Sequence, residues 1–343
     1  MGTAAGQWPG LIQSIATKAR IDMIEALITI CLCLAAGEPR DRPCVVSVVG
    51  TAGAPEYKAQ FDRWADLWQA AAVKGAAESV RIGSANKAGV TDRARLRAAL
   101  DAQSAASRHP LWIVLIGHGT YDGREAKFNL RGPDVTDLEL SDWLSRVKRP
   151  VVIIDCTSAS GPFINRLSGE SRIIVTATKS GHEINFARFG QYVAEAIGDQ
   201  RSDIDKDGQV SLLEAFLTAG NRVDEYYRTH SRLATEHALI DDNGDHLGTP
   251  ASWFRGVRAT QRAKDGAALD GLKAHQLHLI SSNRERGMSV ELRQRRDQLE
   301  LSVAALRDQK SKLKEEEYYE RLEKLMVELA RLYRETQGGS RGR

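Results

Sequence analysis

The sequence predicts an α/β fold in which a mainly parallel sheet lies between two layers of helices. Short apolar runs alternate along the chain with stretches whose apolar residues recur at helical spacing. The runs do not alternate apolar and polar residues, which indicates strands that are buried on both faces. Buried strands that alternate with helices are typical of a parallel sheet covered by helices on both sides.

The N-terminal part of this pattern contains three predicted strands and two predicted helices. A short β-branched run and a wholly aliphatic and aromatic run mark the first and third strands. Apolar residues at helical spacing mark the first helix, and a Thr-Asp cap candidate opens the second. In chain order the elements are strand Pro43–Gly50, helix Tyr57–Lys74, strand Ala77–Gly83, helix Thr91–Ser107 and strand Leu111–Ile116.

The pattern continues with two further strands and three further helices. The strand runs PVVII and SRIIVTA are again β-branched, and the helical stretches between and after them keep apolar residues on one face. In chain order they are helix Leu138–Val147, strand Pro150–Ile154, strand Ser171–Ala177, helix Ala187–Ile197 and helix Ser211–Arg228.

The composition is that of an ordinary globular protein. The 343 residues suffice for one large domain with an appendage, and the formal net charge of +3 is too small to indicate nucleic acid as a partner. The four cysteines, Cys31, Cys33, Cys44 and Cys156, lack the spacing of a zinc site. They remain candidates for a disulfide or for a working thiol.

Residues 1–37 resemble a secretory signal. Lys18 and Arg20 precede the apolar run Ala26–Ala36, which is too short to span a bilayer as a helix. The alternative is an amphipathic first helix that packs on the domain. We therefore expect a periplasmic or secreted protein without a stable membrane span.

The residue pattern changes in the C-terminal third of the chain. Within residues 261–335 leucines recur seven residues apart, which indicates a short coiled coil, and a shift of phase near Lys314 indicates a helical hairpin or a register break. Such helices offer a surface for self-association or for a partner helix. Residues 336–343 are glycine-rich and polar, which predicts a disordered tail. The leucine series is Leu292, Leu299, Leu306 and Leu313.

Two residues with catalytic chemistry follow predicted strands. His118 comes directly after LWIVLIG, and Cys156 comes directly after PVVIID. In parallel sheets ligands bind beyond the carboxyl ends of the strands. Cys156 is thus a candidate nucleophile and His118 its base, and the backbone N–H groups of Gly119 and Cys156 are candidate oxyanion donors. The alternatives are a buried inert thiol and a turn histidine.

These two blocks resemble the caspase–legumain clan of cysteine peptidases, and among them the bacterial legumain-like enzymes. The resemblance covers Pro43 to Arg258, within a domain that we place at residues 38–260. It implies a caspase-like α/β/α fold with a six-stranded, mainly parallel sheet and a Cys-His dyad that hydrolyses peptide bonds. The sequence departs from legumain after the nucleophile, where Thr157 replaces an acidic residue, and this leaves the substrate specificity open. The weak candidates for substrate contact are His182, Glu183 and Arg188, whose alternative is a solvated loop.

Residues 203–214 match the twelve-residue EF-hand calcium loop. Carboxylates alternate at the first positions, Gly208 permits the sharp turn, and a glutamate closes the loop. The alternative is an Asp-rich turn that caps a helix. The segment Asp241–Asp245 begins like a second loop but lacks the closing glutamate, and we interpret it as a turn. The predicted calcium ligands are Asp203, Asp205, Asp207, the Gln209 carbonyl, Ser211 and Glu214.

Three functions follow from these features. The first is a calcium-binding cysteine endopeptidase that acts on protein or peptide substrates. The second is a transamidase or ligase of the same clan, because the acyl-enzyme chemistry is shared. The third is a non-catalytic calcium-binding scaffold that acts through its coiled coil. A reactive thiol at Cys156 would separate the enzymes from the scaffold.

Overall fold

A seven-stranded, mainly parallel sheet forms the centre of the fold. The computed structural model describes residues 42–83, 89–264 and 268–338. The strand order is β10-β9-β8-β7-β3-β1-β2, and only β9 and β10 run antiparallel to their neighbours. The strands of this sheet are β1 (Cys44–Val49), β2 (Glu78–Ile82), β3 (Leu111–Ile116), β7 (Val151–Asp155), β8 (Arg172–Thr176), β9 (Leu239–Asp241) and β10 (Thr249–Pro250).

Two smaller sheets lie outside the central one. A three-stranded sheet follows β3 directly, and a two-stranded sheet follows β10. Their strands are β4 (Gly119–Tyr121), β5 (Ala126–Phe128), β6 (Val135–Thr136), β11 (Phe254–Arg255) and β12 (Arg258–Ala259).

Helices cover both faces of the central sheet. On one face, Trp64 and Phe216 pack with Val114 and Ile154 of the sheet. On the other face, side chains of the intervening helices pack against the alternate residues of the same strands. The helices in the described residues are α1 (Pro55–Lys74), α2 (Asp92–Asp101), α3 (Asp137–Leu144), α4 (Pro162–Leu167), α5 (Phe189–Ala196), α6 (Leu212–Thr229), α7 (Leu272–His275), α8 (Asn283–Gly287), α9 (Val290–Asp308) and α10 (Glu315–Gly338).

The predicted three-layer α/β fold is therefore confirmed. The strands β1, β3 and β7 are buried along their whole length, as their unbroken apolar runs predict. The sheet has seven strands where the resemblance implied six, because the two residues of β10 add an antiparallel edge. Helix α2 ends at Asp101 and not at Ser107, since no large apolar residue follows Leu100 to hold another turn against the core.

The C-terminal extension contains two long helices that contact each other and are joined by a short turn, so that they form a helical hairpin. Arg295 of α9 pairs with Glu328 of α10, and the Tyr333 hydroxyl donates to Glu300 at 3.2 Å. Leu299 and Leu306 of the leucine series are buried, and the coiled coil stays a prediction. Helix α10 reaches Gly338, three residues into the predicted tail.

Two expectations fall on residues that the structure does not describe. The signal-like segment lies within residues 1–41, and residues 339–343 complete the predicted tail. Among the helices that the structure does describe, none has both the length and the apolar character needed to traverse a bilayer.

Candidate active site and candidate calcium site

His118 lies at the carboxyl end of β3, in the short connection to β4. Its Nε2 atom is 3.2 Å from the backbone carbonyl oxygen of Ala52, which follows β1. The imidazole ring is held between aromatic rings, with centroids 5.0 Å from Tyr57, 5.3 Å from Phe61 and 6.3 Å from Phe186. Because a carbonyl oxygen only accepts hydrogen bonds, Nε2 carries the proton and the lone pair of the neutral ring resides on Nδ1. Nδ1 is thus the nitrogen that can accept a proton.

Cys156 follows β7, the neighbour of β3, but its side chain belongs to the hydrophobic core. The residue is 1% exposed and packs in the apolar cluster that contains Trp64 and Phe189. Its Sγ atom has one polar neighbour, the carbonyl oxygen of Ile154 at 3.9 Å. Burial, with a smaller effect from the adjacent Asp155 carboxylate, raises the pKa of the Cys156 thiol well above its ordinary value. Both Cys44 and Cys156 are free.

The predicted dyad is therefore not assembled in this structure. Within the described residues no hydrogen bond joins Cys156 to His118. The two residues lie on the same face of the sheet, and both border the aromatic cluster of α1. Strand alternation places Cys156 in line with Val152 and Ile154, whose side chains face this cluster. The thiol thus continues the buried row of β7.

The two predicted oxyanion donors differ in their hydrogen bonding. The backbone N–H of Gly119 donates to the Ser158 hydroxyl at 3.3 Å, beside the turn that follows β7. The backbone N–H of Cys156 donates to the carbonyl oxygen of Leu115 at 2.9 Å. This bond extends the ladder between β3 and β7, so the Cys156 N–H is not available to an oxyanion. The prediction for Cys156 is corrected on this point. The Gly119 N–H is bonded to a side-chain hydroxyl and not to the strand ladder, so its role as an oxyanion donor stays a prediction.

Asp155, the last residue of β7, is fully buried. Its Oδ1 atom accepts hydrogen bonds from the Thr157 hydroxyl at 2.6 Å and from the Thr157 backbone N–H at 3.0 Å. Its Oδ2 atom has no hydrogen-bond partner among the described residues. Burial raises the pKa of Asp155 to about 7, because these hydrogen bonds only partly offset the desolvation of the charged form.

The turn after Cys156 contains residues that the sequence analysis missed. Ser158 is 3% exposed, and its hydroxyl contacts both the N–H and the carbonyl oxygen of Gly119. Ala159 has a φ of +55°, an unusual conformation for a residue with a Cβ atom. The Ser160 hydroxyl is hydrogen-bonded to the Thr178 hydroxyl, with 3.0 Å between the oxygens. The available signal was the serine-rich stretch itself, which gives no indication of which hydroxyl contacts Gly119.

The weak candidates for substrate contact lie in the loop between β8 and α5. Glu183 is tied to His237 at 2.5 Å, and its backbone carbonyl accepts from the Ala159 N–H. His182 is exposed and contacts the Tyr121 ring edge-on at 5.6 Å. Glu183 therefore supports the turn after β7, and the exposed His182 is the freer of the two.

Arg188 lies closest to the His118 environment of these three. Its guanidinium carbon is 4.0 Å from the ring centroid of Tyr226 and 5.7 Å from that of Phe186, which borders His118. No ion pair to this guanidinium occurs in the described ranges. The charge is therefore stacked on aromatic rings and remains available to an anionic group.

The calcium-like loop brings three of its predicted ligands together. One carboxylate oxygen each from Asp203, Asp205 and Glu214 lie within 4.8 Å of one another. The two Asp203 oxygens accept from the Lys206 N–H at 2.7 Å and the Gly208 N–H at 3.1 Å. Left-handed backbone at Lys206 and Gly208 turns the chain around the cluster. Three converging carboxylates are a hard-oxygen donor set that suits calcium.

The other predicted ligands lie outside this cluster. Asp207 is bonded to the backbone and side-chain amides of Gln209, and the Gln209 side-chain oxygen accepts from the Ser282 N–H at 3.0 Å. The Ser211 hydroxyl caps α6 and also donates to Glu214 at 2.8 Å. The loop therefore does cap a helix, as the alternative interpretation proposed, and this capping is compatible with the calcium-like arrangement of Asp203, Asp205 and Glu214.

The segment that we interpreted as a turn repeats the first half of this loop. Asp241 accepts from the N–H groups three and five residues ahead, as Asp203 does. Asn243 and Asp245 each accept from the N–H two residues ahead. Left-handed backbone occurs at Gly244 and His246, the positions that match Lys206 and Gly208. An Asn-Gly turn is thus only one part of a longer loop.

Comparisons with known proteins give structural likenesses and no sequence match. No protein-family model matches the chain, and no curated protein matches it either. The initiator caspase Dronc of Drosophila is similar with a TM-score of 0.37 and 13% identity, over 60% of this chain and 82% of that chain. Raptor of Chaetomium thermophilum is similar with a TM-score of 0.33 and 8% identity, over 47% of this chain and 18% of that chain. At these TM-scores neither likeness carries a conclusion about activity.

Proposed function

We propose that the chain is a calcium-binding hydrolase of the peptidase class, with His118 as the general base at the carboxyl ends of β3 and β7. The observation that carries this proposal is the contact between His118 Nε2 and the Ala52 carbonyl oxygen. That contact fixes the tautomer and leaves Nδ1 with a lone pair, as a base requires. A turn histidine would need neither a defined tautomer nor the three aromatic rings around it.

The chemistry proposed for this centre is acyl transfer from a peptide carbonyl. His118 takes a proton from the nucleophile and returns it to the leaving amine, and the Gly119 N–H stabilises the oxyanion. In the cysteine-type form, Cys156 is the nucleophile, and its side chain must first leave the core. Hydrolysis and transamidation share the acyl-enzyme and differ only in the acceptor, so both belong to this proposal.

Calcium is proposed to bind through Asp203, Asp205 and Glu214. The ion would supply positive charge to a cluster of three carboxylates. Beside this cluster, the Lys206 ammonium contacts the Asp203 backbone carbonyl and His275 Nε2 contacts Asp205. The role of the ion is to hold the loop between the central domain and the following segments. Calcium is abundant outside the cell, which fits the proposed periplasmic or secreted location.

A non-catalytic scaffold is the second candidate, and the buried thiol favours it. Cys156 is 1% exposed, and its pKa is raised, so it is a thiol and not a thiolate at neutral pH. A scaffold would bind calcium and present the α9–α10 hairpin to partners without any turnover.

The test is hydrolysis of a fluorogenic peptide library by the full chain, with calcium and with a chelator. We expect His118→Ala to lower kcat/KM by roughly 100-fold or more, the usual contribution of a general base. His182→Ala is the matched control, because His182 is exposed and lies in the neighbouring loop. Equal rates for wild type and His118→Ala, or no turnover by any form, would replace the hydrolase with the scaffold.

A further inference from the structure

The turn after β7 contains one residue whose side chain and backbone both suit covalent catalysis. We infer that Ser158, and not Cys156, is the nucleophile of the His118 centre. The inference rests on the proposed function, since it names the attacking group of the same site. The site would then be that of a serine hydrolase, although the sequence alone predicts a cysteine nucleophile.

Ser158 and His118 lie equally far along the chain from the last paired residues of their strands. Strands β3 and β7 are parallel neighbours, and Leu115 is paired with Asp155. His118 and Ser158 each lie three residues beyond this pair, in the connections that leave the sheet at the same edge. Cys156 lies one residue beyond it and still belongs to the ladder through its N–H.

The Ser158 hydroxyl contacts the residue that follows the base. Its Oγ atom accepts from the Gly119 N–H at 3.3 Å, and the hydroxyl donates to the Gly119 carbonyl oxygen at 3.2 Å. These are long hydrogen bonds, so little energy holds the hydroxyl in its resting position. The other hydroxyls of the turn have close partners, Thr157 with Asp155 at 2.6 Å and Ser160 with Thr178 at 3.0 Å.

The backbone of the same turn provides the second oxyanion donor. The N–H groups of Cys156, Thr157 and Ala159 donate to Leu115, Asp155 and Glu183, respectively. The N–H of Ser158 makes no hydrogen bond within the described part of the chain. Together with the Gly119 N–H, it gives two donors beside one nucleophile, which is the arrangement that stabilises a tetrahedral oxyanion.

The proposed reaction balances with a peptide and water as the only reactants. The Ser158 hydroxyl proton moves to His118 Nδ1 as Oγ forms a bond to the substrate carbonyl carbon, and the carbonyl electron pair moves to its oxygen. The intermediate collapses with cleavage of the C–N bond, and the leaving amine takes the proton from His118. Water then attacks the acyl ester through the same base and releases the acid and Ser158.

The experiment uses a fluorophosphonate probe on the full chain with saturating calcium, followed by mass mapping of the modified residue. We expect the label on Ser158, no label in Ser158→Ala, and labelling at least ~100-fold slower in His118→Ala. Ser158→Cys serves as a second variant, in which iodoacetamide alkylation of the introduced thiol should depend on His118.

The outcomes separate this inference from the proposed function. His118-dependent modification of Cys156 with peptide ketones, unchanged in Ser158→Ala, would overturn the inference and leave the hydrolase intact. Labelling of Ser158 that ignores His118 would also overturn it. The absence of any His118-dependent labelling or hydrolysis, in variants whose thermal unfolding matches wild type, would remove the proposed function together with the inference.

Discussion

At the residue scale, Asp155 shows how burial at a strand end changes an ordinary side chain. The carboxyl group is fully buried with one oxygen bonded to Thr157 and the other without a partner among the described residues. An unpaired oxygen in an apolar environment disfavours the charged form. Burial therefore raises the pKa of Asp155 to about 7.

The raised pKa predicts a pH-dependent stability. The unfolded carboxyl releases its proton near pH ~3.9, whereas Asp155 in the folded state retains it until about 7. Between these values the folded state binds more protons, so the free energy of unfolding falls as the pH rises, by at most ~1.4 kcal/mol per pH unit. Asp155→Asn keeps the acceptor for Thr157 and cannot ionise. We expect it to flatten this slope, as measured by urea unfolding between about pH 4 and pH 8. If wild type and Asp155→Asn show the same dependence of unfolding free energy on pH, another group is responsible for it.

At the element scale, the position of Cys156 depends on the packing of α5 against β7. A Cβ atom on Gly190 would lie 2.7 Å from the Cys156 Cβ and 2.7 Å from the Trp64 ring. Such distances are below van der Waals contact, so the glycine lets the helix approach the strand closely. This approach, and not the sequence around Cys156, closes the thiol off from His118.

The close approach predicts a large difference between two glycines of the same region. Gly190→Ala should lower the free energy of unfolding by about 1–3 kcal/mol through overpacking. Gly198→Ala is the matched control, because its Cβ would meet no atom within 4 Å, and its effect should stay within about 0.5 kcal/mol. Urea unfolding of both variants checks the pair. Equal stability would mean that α5 does not press on Cys156.

The calcium-like loop, residues 203–214, also begins α6. Glu214 accepts from the Ile204 N–H at 2.6 Å and completes a capping box with Ser211. Its carboxylate therefore joins the second and last positions of the loop.

Glu214→Gln should separate metal binding from folding. The amide keeps an acceptor for the capping box but removes a charge from the ligand set, so we expect calcium affinity to fall ~10-fold or more. Isothermal titration calorimetry measures this loss, with Asp224→Asn, an exposed site on α6, as the control. Unchanged affinity in Glu214→Gln would argue against this loop as the calcium site.

At the scale of the whole molecule, the same loop connects the central domain to the C-terminal extension. His275 Nε2 lies 2.9 Å from Asp205, and the Leu212 N–H donates to the Leu277 carbonyl oxygen at 2.8 Å. The Gln209 side chain holds Ser282, directly before α8. An ion bound by this loop would therefore stabilise the contacts to residues 275–282, which lead to the α9–α10 hairpin.

This connection predicts that calcium protects residues far from the loop in sequence. At calcium concentrations of 100 times Kd, binding adds ~2.7 kcal/mol to the free energy of unfolding. We expect slower hydrogen exchange at Leu212 and across residues 271–282, with no comparable change in the β4–β6 sheet. Hydrogen-exchange mass spectrometry measures both regions. The Glu214→Gln variant is the control, because it should fold but show no change in exchange when calcium is added. Protection confined to residues 203–214 would show that the extension is independent of the ion.

The fold was largely predictable because its signals are local. The runs PCVVSVVG, LWIVLI and PVVII have no alternation, and burial on both faces follows from that property alone. The strands of the small sheets and of the antiparallel edge were missed, since two or three residues give no periodicity to measure. The sequence pattern of the calcium-like loop predicted the convergence of Asp203, Asp205 and Glu214, because each position of such a loop has a fixed chemical role, while calcium binding stays a prediction.

The candidate site was predictable in location and not in composition. By itself, the sequence determined that the candidate site residues, His118 and Gly119 among them, would lie where β3 and β7 end. The reason is that parallel strands bring their carboxyl ends to one edge of the sheet. Only the tertiary structure decided which side chain of the turn after β7 faces that edge. The side-chain direction depends on where the ladder stops and on how closely α5 packs. Cys156, the first residue past β7, still follows the strand into the core, whereas Ser158, two residues further along, lies in the turn and contacts Gly119.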